Sequence, residues 1–454
     1  MITMPLSQLA TIFGIPFSEK DVTFHGVSID TRTLVPGNLF IAIRGEQLDG
    51  HDFIQEAVKK GASAALVSRR LVSPIPQLVV KDTIDTLGKL SAYWRDQFPI
   101  PLVGITGSNG KTTLKNMTAS ILRNACNHPV SVLATEGNFN NAIGLPLTLL
   151  RLNKEHRYGV IEMGMNHFGE IAYLTQLTKP AVAAITNAAE AHLEGLQSVA
   201  GVAKAKGEIF QGLNDNGLAV LNRDDPFFNY WHDLIGNRKY LTFGLKNTAD
   251  VTASMVEGNT ITLKTPLGNT DVTLPLPGTH NVMNALAATA IAIALHIDLA
   301  AIKQGLENVA PAPGRMQQYF LPGGVHIIDD TYNANPFSLL AAVNTLTLFN
   351  GTKIVVLGDM KELGPDAEQI HFDAGQKIRE ANIDYLFTFG NLSAATSKAF
   401  GENAQHFTER EQLIMALQPY LKQNVNLLVK GSRSMKMEKV IAAIVPEDQL
   451  EHSH

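Results

Sequence analysis

Little in this sequence could serve export, cross-linking or membrane insertion. One cysteine, Cys126, stands alone in 454 residues, so no internal disulfide can form. The stretch from Met1 to Phe13 lacks the basic segment and long apolar run of a secretory signal, and a cytoplasmic location is expected. The most apolar window, Ala285 to Leu295, falls well short of the ~20 residues needed to cross a bilayer and reads as a buried helix. An excess of one charge is also missing. With 42 acidic and 37 basic residues the net charge is -5, which gives no electrostatic footprint for nucleic acid or an anionic membrane. No biased or repetitive tract is present, so disorder is not the theme.

What is present is the composition of a folded, modular protein: 45% hydrophobic and 17% charged residues in a chain long enough for about three domains at roughly 150 residues each. Residues 1–83 alternate short apolar runs (Leu39 to Ile43, Ala64 to Val67, Leu78 to Val80) with Gly-containing turns, as in a small α/β unit. Residues 84–312 begin with Pro99-Ile100-Pro101 and a strand, Leu102 to Ile105, followed by strand-like runs and helical stretches in alternation. That rhythm predicts a mostly parallel, helix-covered sheet, with Thr260 to Leu276 as an antiparallel excursion. After Pro311-Ala312-Pro313-Gly314 the βα rhythm restarts, and residues 313–454 are expected to form a Rossmann-like domain. The predicted fold is α/β throughout.

Thr106 to Thr113 reads TGSNGKTT, between a predicted strand and a helix whose apolar residues Leu114, Met117, Ile121 and Leu122 keep a helical period. Backbone N–H groups of Gly107, Ser108, Asn109 and Gly110 at a helix start suit a phosphate, Lys111 adds charge to the β/γ-phosphates, and the Thr112 hydroxyl suits Mg2+, with Thr113 beside it. The turn departs from the standard P-loop, since Ile105 stands where its first glycine belongs. A nucleoside triphosphate site, hence ATP and Mg2+, is the expectation. Glu162 ends a second predicted strand and is a plausible Mg2+ ligand at the sheet's C-terminal edge. His192 follows a strand ending at Thr186, and residue type alone leaves a structural histidine open. Lys206, in VAKAKGEIF, would by composition be an exposed helix lysine.

The P-loop variant GSNGKTT is joined by further strings: SIDTR (Ser28 to Arg32) with PGNLFIAIRGEQLDGHDF, TEGNFNNAIGLP (Thr135 to Pro146), PGTHNVMNALAA (Pro277 to Ala288), DDTYNANPFS (Asp329 to Ser338), LGDMKELG (Leu357 to Gly364) and KGSRSMKME (Lys430 to Glu438). They are spread along nearly the whole chain, which on them resembles the Mur ligase family, MurF type.

That resemblance implies an ATP-dependent ligation of D-alanyl-D-alanine to UDP-N-acetylmuramoyl-tripeptide through an acyl phosphate. It also implies a carbamylated Lys206 (N6-carboxylysine) and two Mg2+, with Thr112 and Glu162 at one and His192 and Lys206 at the other. Lys111, Lys206, His192 and Glu162 become the expected catalytic groups. Asn281 is expected near adenine, Arg315 at phosphate and Asp330 at the ribose or adenine. Ser28 and Arg32 would serve the UDP end, Thr135, Asn138 and Asn140 the substrate loop, and Asn333, Asn335, Lys430, Ser432 and Arg433 the dipeptide. A monomer without nucleic-acid or membrane partners is expected. Two alternatives remain: another ligase of the superfamily, such as a folylpolyglutamate synthetase or the ligase adding the third amino acid, and a nucleotide-dependent switch, which leaves the outer domains unexplained.

Overall fold

The computed structural model describes residues 1–214 and 216–451. It is an α/β protein of three sheet-centred units. In the first, Val27–Ser28, Leu39–Ile41, Ala64–Val67 and Gln77–Val79 pair in parallel in that order, and Thr3–Pro5 pairs antiparallel with Thr23–His25. Ala64–Val67 is buried along its whole length, as expected for a short apolar run in a parallel sheet covered on both faces. Helix Thr83–Asp96, whose first N–H groups are capped by Asp82, sends Leu87 and Leu90 into this core and Ala92 against the next.

The second unit is a six-stranded parallel sheet ordered Lys239–Phe243, Leu218–Asn222, Val182–Ile185, Leu102–Thr106, Tyr158–Glu162, Val132–Ala134. Its first strand in the chain, Leu102–Thr106, lies inside, and later strands depart to both sides of it. That reversal opens a crevice at the strands' C-terminal ends, where α/β sheets collect ligands. Helices Lys111–Cys126 and Thr279–Ala294 pack on one face of the sheet. The second of these contains the apolar window read as a buried helix, and among the described residues no helix is long and apolar enough to cross a membrane. The antiparallel excursion is three-stranded, Thr252–Glu257, Thr260–Thr265 and Gly268–Thr273, with Ile261, Leu263 and Val272 turned inward.

In the third unit the order is Gln317–Leu321, Val325–Asp330, Val425–Lys430, Thr352–Gly358, Tyr385–Phe389, Ala404–Phe407; the first pair is antiparallel and the rest parallel. The last strand in sequence returns to the middle. Its register sets Lys430 beside Asp330, at the C-terminal edge that faces the second unit's crevice.

Candidate active site

The turn after Leu102–Thr106 is built for close approach. Gly107 (φ +150°) has no room for a Cβ, which would overlap the Thr186 hydroxyl, and Gly110 (φ +83°) none, because Asn284 stands there. Residues 186–189 brace the turn. The Ser108 N–H donates to the Asn187 carbonyl (2.9 Å), the Asn109 N–H to Asn187 Oδ1 (3.1 Å) and the Thr186 hydroxyl to the Asn109 carbonyl (2.6 Å). The turn therefore holds its shape in front of helix Lys111–Cys126, whose N-terminus favours an anion. Lys111 Nζ donates to the Gly107 carbonyl at 2.7 Å. Loss of water pushes its pKa below the ordinary lysine value; Glu162 opposes that shift and Arg315 adds to it. Asn109 Nδ2 is buried without a partner among the described residues, a spare donor in the turn itself.

Glu162, 2% exposed, is the hub. One carboxylate oxygen accepts the Thr112 hydroxyl (2.8 Å), the other the Asn140 amide (2.8 Å), and its N–H donates to Thr135 Oγ1 (3.0 Å). Thr112 and Glu162 are hard oxygen donors in contact with each other, and Mg2+ characteristically takes one or two protein oxygens and completes its shell with phosphate and water. The residues therefore fit the ion, although among the described residues no three of His, Cys, Asp and Glu converge as a metal cage.

Lys206 is not the exposed helix lysine that its composition suggests: helix Val199–Gly207 buries it to 2% exposure. Burial holds its pKa well below the ordinary value, and the like charge of Lys111 adds to the shift. His192 precedes the short helix Leu193–Leu196 in a left-handed backbone conformation (φ +56°). Its Nδ1 lies 3.0 Å from Glu362 Oε2, a close contact across the domain gap without the alignment of a hydrogen bond.

The opposite wall comes from the third unit. Lys430, 2% exposed, is paired with Asp330 and also donates to the Asn333 carbonyl at 2.9 Å. Arg315 lies over the Tyr332 ring (4.1 Å to its centre), and Arg433 approaches the same ring at 5.7 Å. Asn335 caps helix Pro336–Leu346 in a capping box with Ser338, and its amide also crosses to Asn109 Oδ1 at 2.8 Å. The Asn333 side chain accepts the Ala334 N–H (2.9 Å), and the Ser432 hydroxyl accepts the Lys361 N–H (2.8 Å).

Between these walls lies a cavity of about 1640 Å3. It brings together Ser108, Asn109, Gly110, Lys111, Thr113, Asn138, Asn140, Glu162, His192, Asn281, Arg315, Asp330, Asn333, Asn335 and Lys430. Gly107, Thr112, Thr135, Lys206, Ser432 and Arg433 do not line it. Ser28 and Arg32 belong to the first unit: the Ser28 hydroxyl donates to the Asp30 carbonyl (2.9 Å), and exposed Arg32 pairs with Asp30 (2.6 Å). The Asn281 amide is occupied by the Pro277 carbonyl (2.8 Å). Three residues at the site carried no expectation: Lys115, buried one helical turn beyond Lys111; Tyr332, under Arg315; and Glu362, opposite His192. A lysine amid the apolar positions of a helix was a signal for the first and an aromatic inside DDTYNANPFS for the second. The third lies in LGDMKELG, but nothing in that string pointed to His192.

Family models match three stretches: Mur ligase family, catalytic domain, at residues 23–92; Mur ligase middle domain at 105–292; and Mur ligase, glutamate ligase domain, at 314–433. A UDP-N-acetylmuramoyl-tripeptide--D-alanyl-D-alanine ligase of Escherichia coli (strain K12) is 46% identical over 452 residues, 98% of this chain and 99% of its own length. A crystal structure of MurF from Acinetobacter baumannii superposes with a TM-score of 0.88 at 35% identity, covering 98% of both chains. One of MurF ligase from Thermotoga maritima in complex with ADP gives 0.82 at 28% identity, covering 95% of this chain and 99% of the other. With a glycine-rich turn at a helix start and a buried carboxylate on one wall, cations on the other, and relatives matched end to end, this chain belongs to the Mur ligase family, as a member of the MurF type.

Proposed function

We propose that this protein joins D-alanyl-D-alanine to UDP-N-acetylmuramoyl-tripeptide at the expense of ATP, releasing ADP and phosphate. The observation that carries the reading is the two-walled cavity: the triphosphate turn with Thr112 and Glu162 faces the cations and amides of another domain across one space. The E. coli ligase of that name, matched over nearly its full length, supports the choice of substrates.

A carboxylate oxygen of the tripeptide attacks the γ-phosphorus and ADP leaves, forming an acyl phosphate; the dipeptide amine then attacks the carbonyl, gives up a proton and expels phosphate. Lys111 and Arg315 stabilise the charge that develops on the transferring group, and the Gly107–Gly110 N–H groups orient the phosphates. Mg2+ held by Thr112 and Glu162 would add Lewis-acid charge neutralisation. Lys206, whose charged form burial and Lys111 both disfavour, is chemically suited to react with CO2, and its carbamate would place an anion beside Lys111; His192 completes that side. Asp330 neutralises Lys430, so this pair shapes the acceptor site, while exposed Arg433, with Ser432, Asn333 and Asn335, receives the dipeptide carboxylate. Thr135, Asn138 and Asn140 hold the peptide, Ser28 and Arg32 the UDP end, and Asn281 stands by adenine. Residues 1–83, 84–312 and 313–454 act as the substrate, ATP and closing domains of a cytoplasmic monomer. The test is phosphate release from ATP, which should require both the UDP-linked tripeptide and the dipeptide; release with either omitted, at the full rate, would refute it.

A further inference from the structure

The helix that starts the phosphate site carries a second buried lysine one turn further on. Lys115 is 6% exposed, and its ammonium donates to the backbone carbonyl of Thr135 at 2.6 Å. An ammonium is costly to bury unless it is held, and here no carboxylate touches it among the described residues; Glu162 and, more weakly, Glu136 favour its charge from a distance, and Arg315 and Arg123 oppose it. A leucine or methionine would fill the same space without that cost. The charge and the donor therefore need a reason beyond packing.

The reason lies in what the Thr135 carbonyl belongs to. Residues 135–141 form the loop that carries Asn138 and Asn140 into the cavity. At its far end the Asn140 amide donates to Glu162 and its carbonyl accepts the Gly164 N–H (2.8 Å). At its near end Thr135 Oγ1 accepts the Glu162 N–H (3.0 Å). The Thr135 N–H also donates to the Val160 carbonyl (3.1 Å), and all of these ties run to strand Tyr158–Glu162 or to Gly164 just beyond it. Lys115 supplies the one hydrogen bond, among the described residues, from the phosphate-site helix to this loop. Thr112, three residues earlier on the same helix, closes the ring through Glu162.

We infer that Lys115 is a positioning residue that clamps the 135–141 loop to the nucleotide-binding helix and so fixes the surface that receives the UDP-linked peptide. This rests on the proposed function for the identity of that substrate, but not for the clamp itself. Asn138 and exposed Phe139 sit between the two ends; without Lys115 the near end keeps its ties to Glu162 and Val160 but loses the one to the helix, which gives the two residues more freedom.

The test uses the full chain with Lys115→Met, which keeps length and removes donor and charge, and Lys115→Arg, which keeps both. Lys115→Met should raise KM for UDP-N-acetylmuramoyl-tripeptide at least tenfold while KM for ATP changes less than threefold, and amide exchange over 135–141 should quicken at least tenfold. Lys115→Arg should return the peptide KM to within threefold of the parent. Unchanged exchange and KM in Lys115→Met would reduce the residue to packing and overturn the inference, as would equal losses for ATP and peptide. Should Lys115→Met fail to fold, Asn140→Ala cuts the opposite anchor: exchange over 135–141 must then rise while that of 111–126 stays, and unchanged exchange overturns the clamp. A parent protein without turnover on the UDP-linked peptide would defeat the proposed function instead, leaving the exchange data to decide Lys115.

Discussion

Replacing Lys206 by methionine separates a buried functional amine from a structural cation. The side chain is 2% exposed, and the charge of Lys111, of the same sign, acts on it. Holding an unpaired ammonium in such a place costs several kcal/mol. The neutral amine and its carbamate are both favoured there over the ammonium. Methionine has a similar length and no charge, so the swap should change stability by less than about 1.5 kcal/mol, as volume-conserving core substitutions do. Activity should behave otherwise. Loss of one preorganised charge at a transferring phosphoryl group costs on the order of 10²- to 10³-fold in turnover, or about 3–4 kcal/mol of transition-state stabilisation. Phosphate release with all three substrates measures the second quantity and urea unfolding the first. A carbon-13 signal from labelled bicarbonate should appear in the parent and vanish in Lys206→Met. Full turnover in the variant would refute the reasoning. So would a stability loss of about 3–5 kcal/mol, the mark of a broken buried ion pair.

Asp330→Ala should cost about 3–5 kcal/mol in urea unfolding of the third unit by stranding Lys430, while Asp330→Leu with Lys430→Met should recover most of that without activity; a cost under about 1 kcal/mol for the single variant would mean that water reaches the pair. His326, stacked on Phe320 at 4.6 Å, has its pKa lowered from 6.5 by burial, with Asn426 opposing. As pH falls below 6.5 the unfolded chain takes the proton before the folded one does, so stability present above that value is lost toward lower pH. His326→Gln should shrink the drop in urea midpoint between pH 7.5 and pH 5, and an equal drop in parent and variant would exclude His326 as its source.

The alternation of short apolar runs with helical periods, and the Pro/Gly break before Arg315, made the three α/β units legible, because burial on both faces of a parallel sheet leaves its mark in sequence. The phosphate turn was legible too: Gly107 and Gly110 sit where the chain has no space for a Cβ. What escaped was set by tertiary contact. Nothing along helix Val199–Gly207 announces that Lys206 points inward, and Lys115 needs the partner carbonyl of Thr135, 20 residues away. Asn335 was read as a substrate contact; locally it is a helix cap, and only domain packing reveals its bond to Asn109. Glu362 opposite His192 is of the same kind, since the two meet only across the cavity.

The most direct measurement is the mass of the product formed from ATP, Mg2+, UDP-N-acetylmuramoyl-tripeptide and a set of acceptors. On the proposed reading, with the carboxylate held at the 430–433 segment, a dipeptide amine would reach the acyl phosphate, whereas that of a single amino acid would fall short by about 3.5 Å, one residue of extended chain. D-alanyl-D-alanine should be joined efficiently, and D-alanine, D-glutamate and diaminopimelate weakly. Efficient joining of a single amino acid, with the dipeptide inert, would contradict the proposed activity.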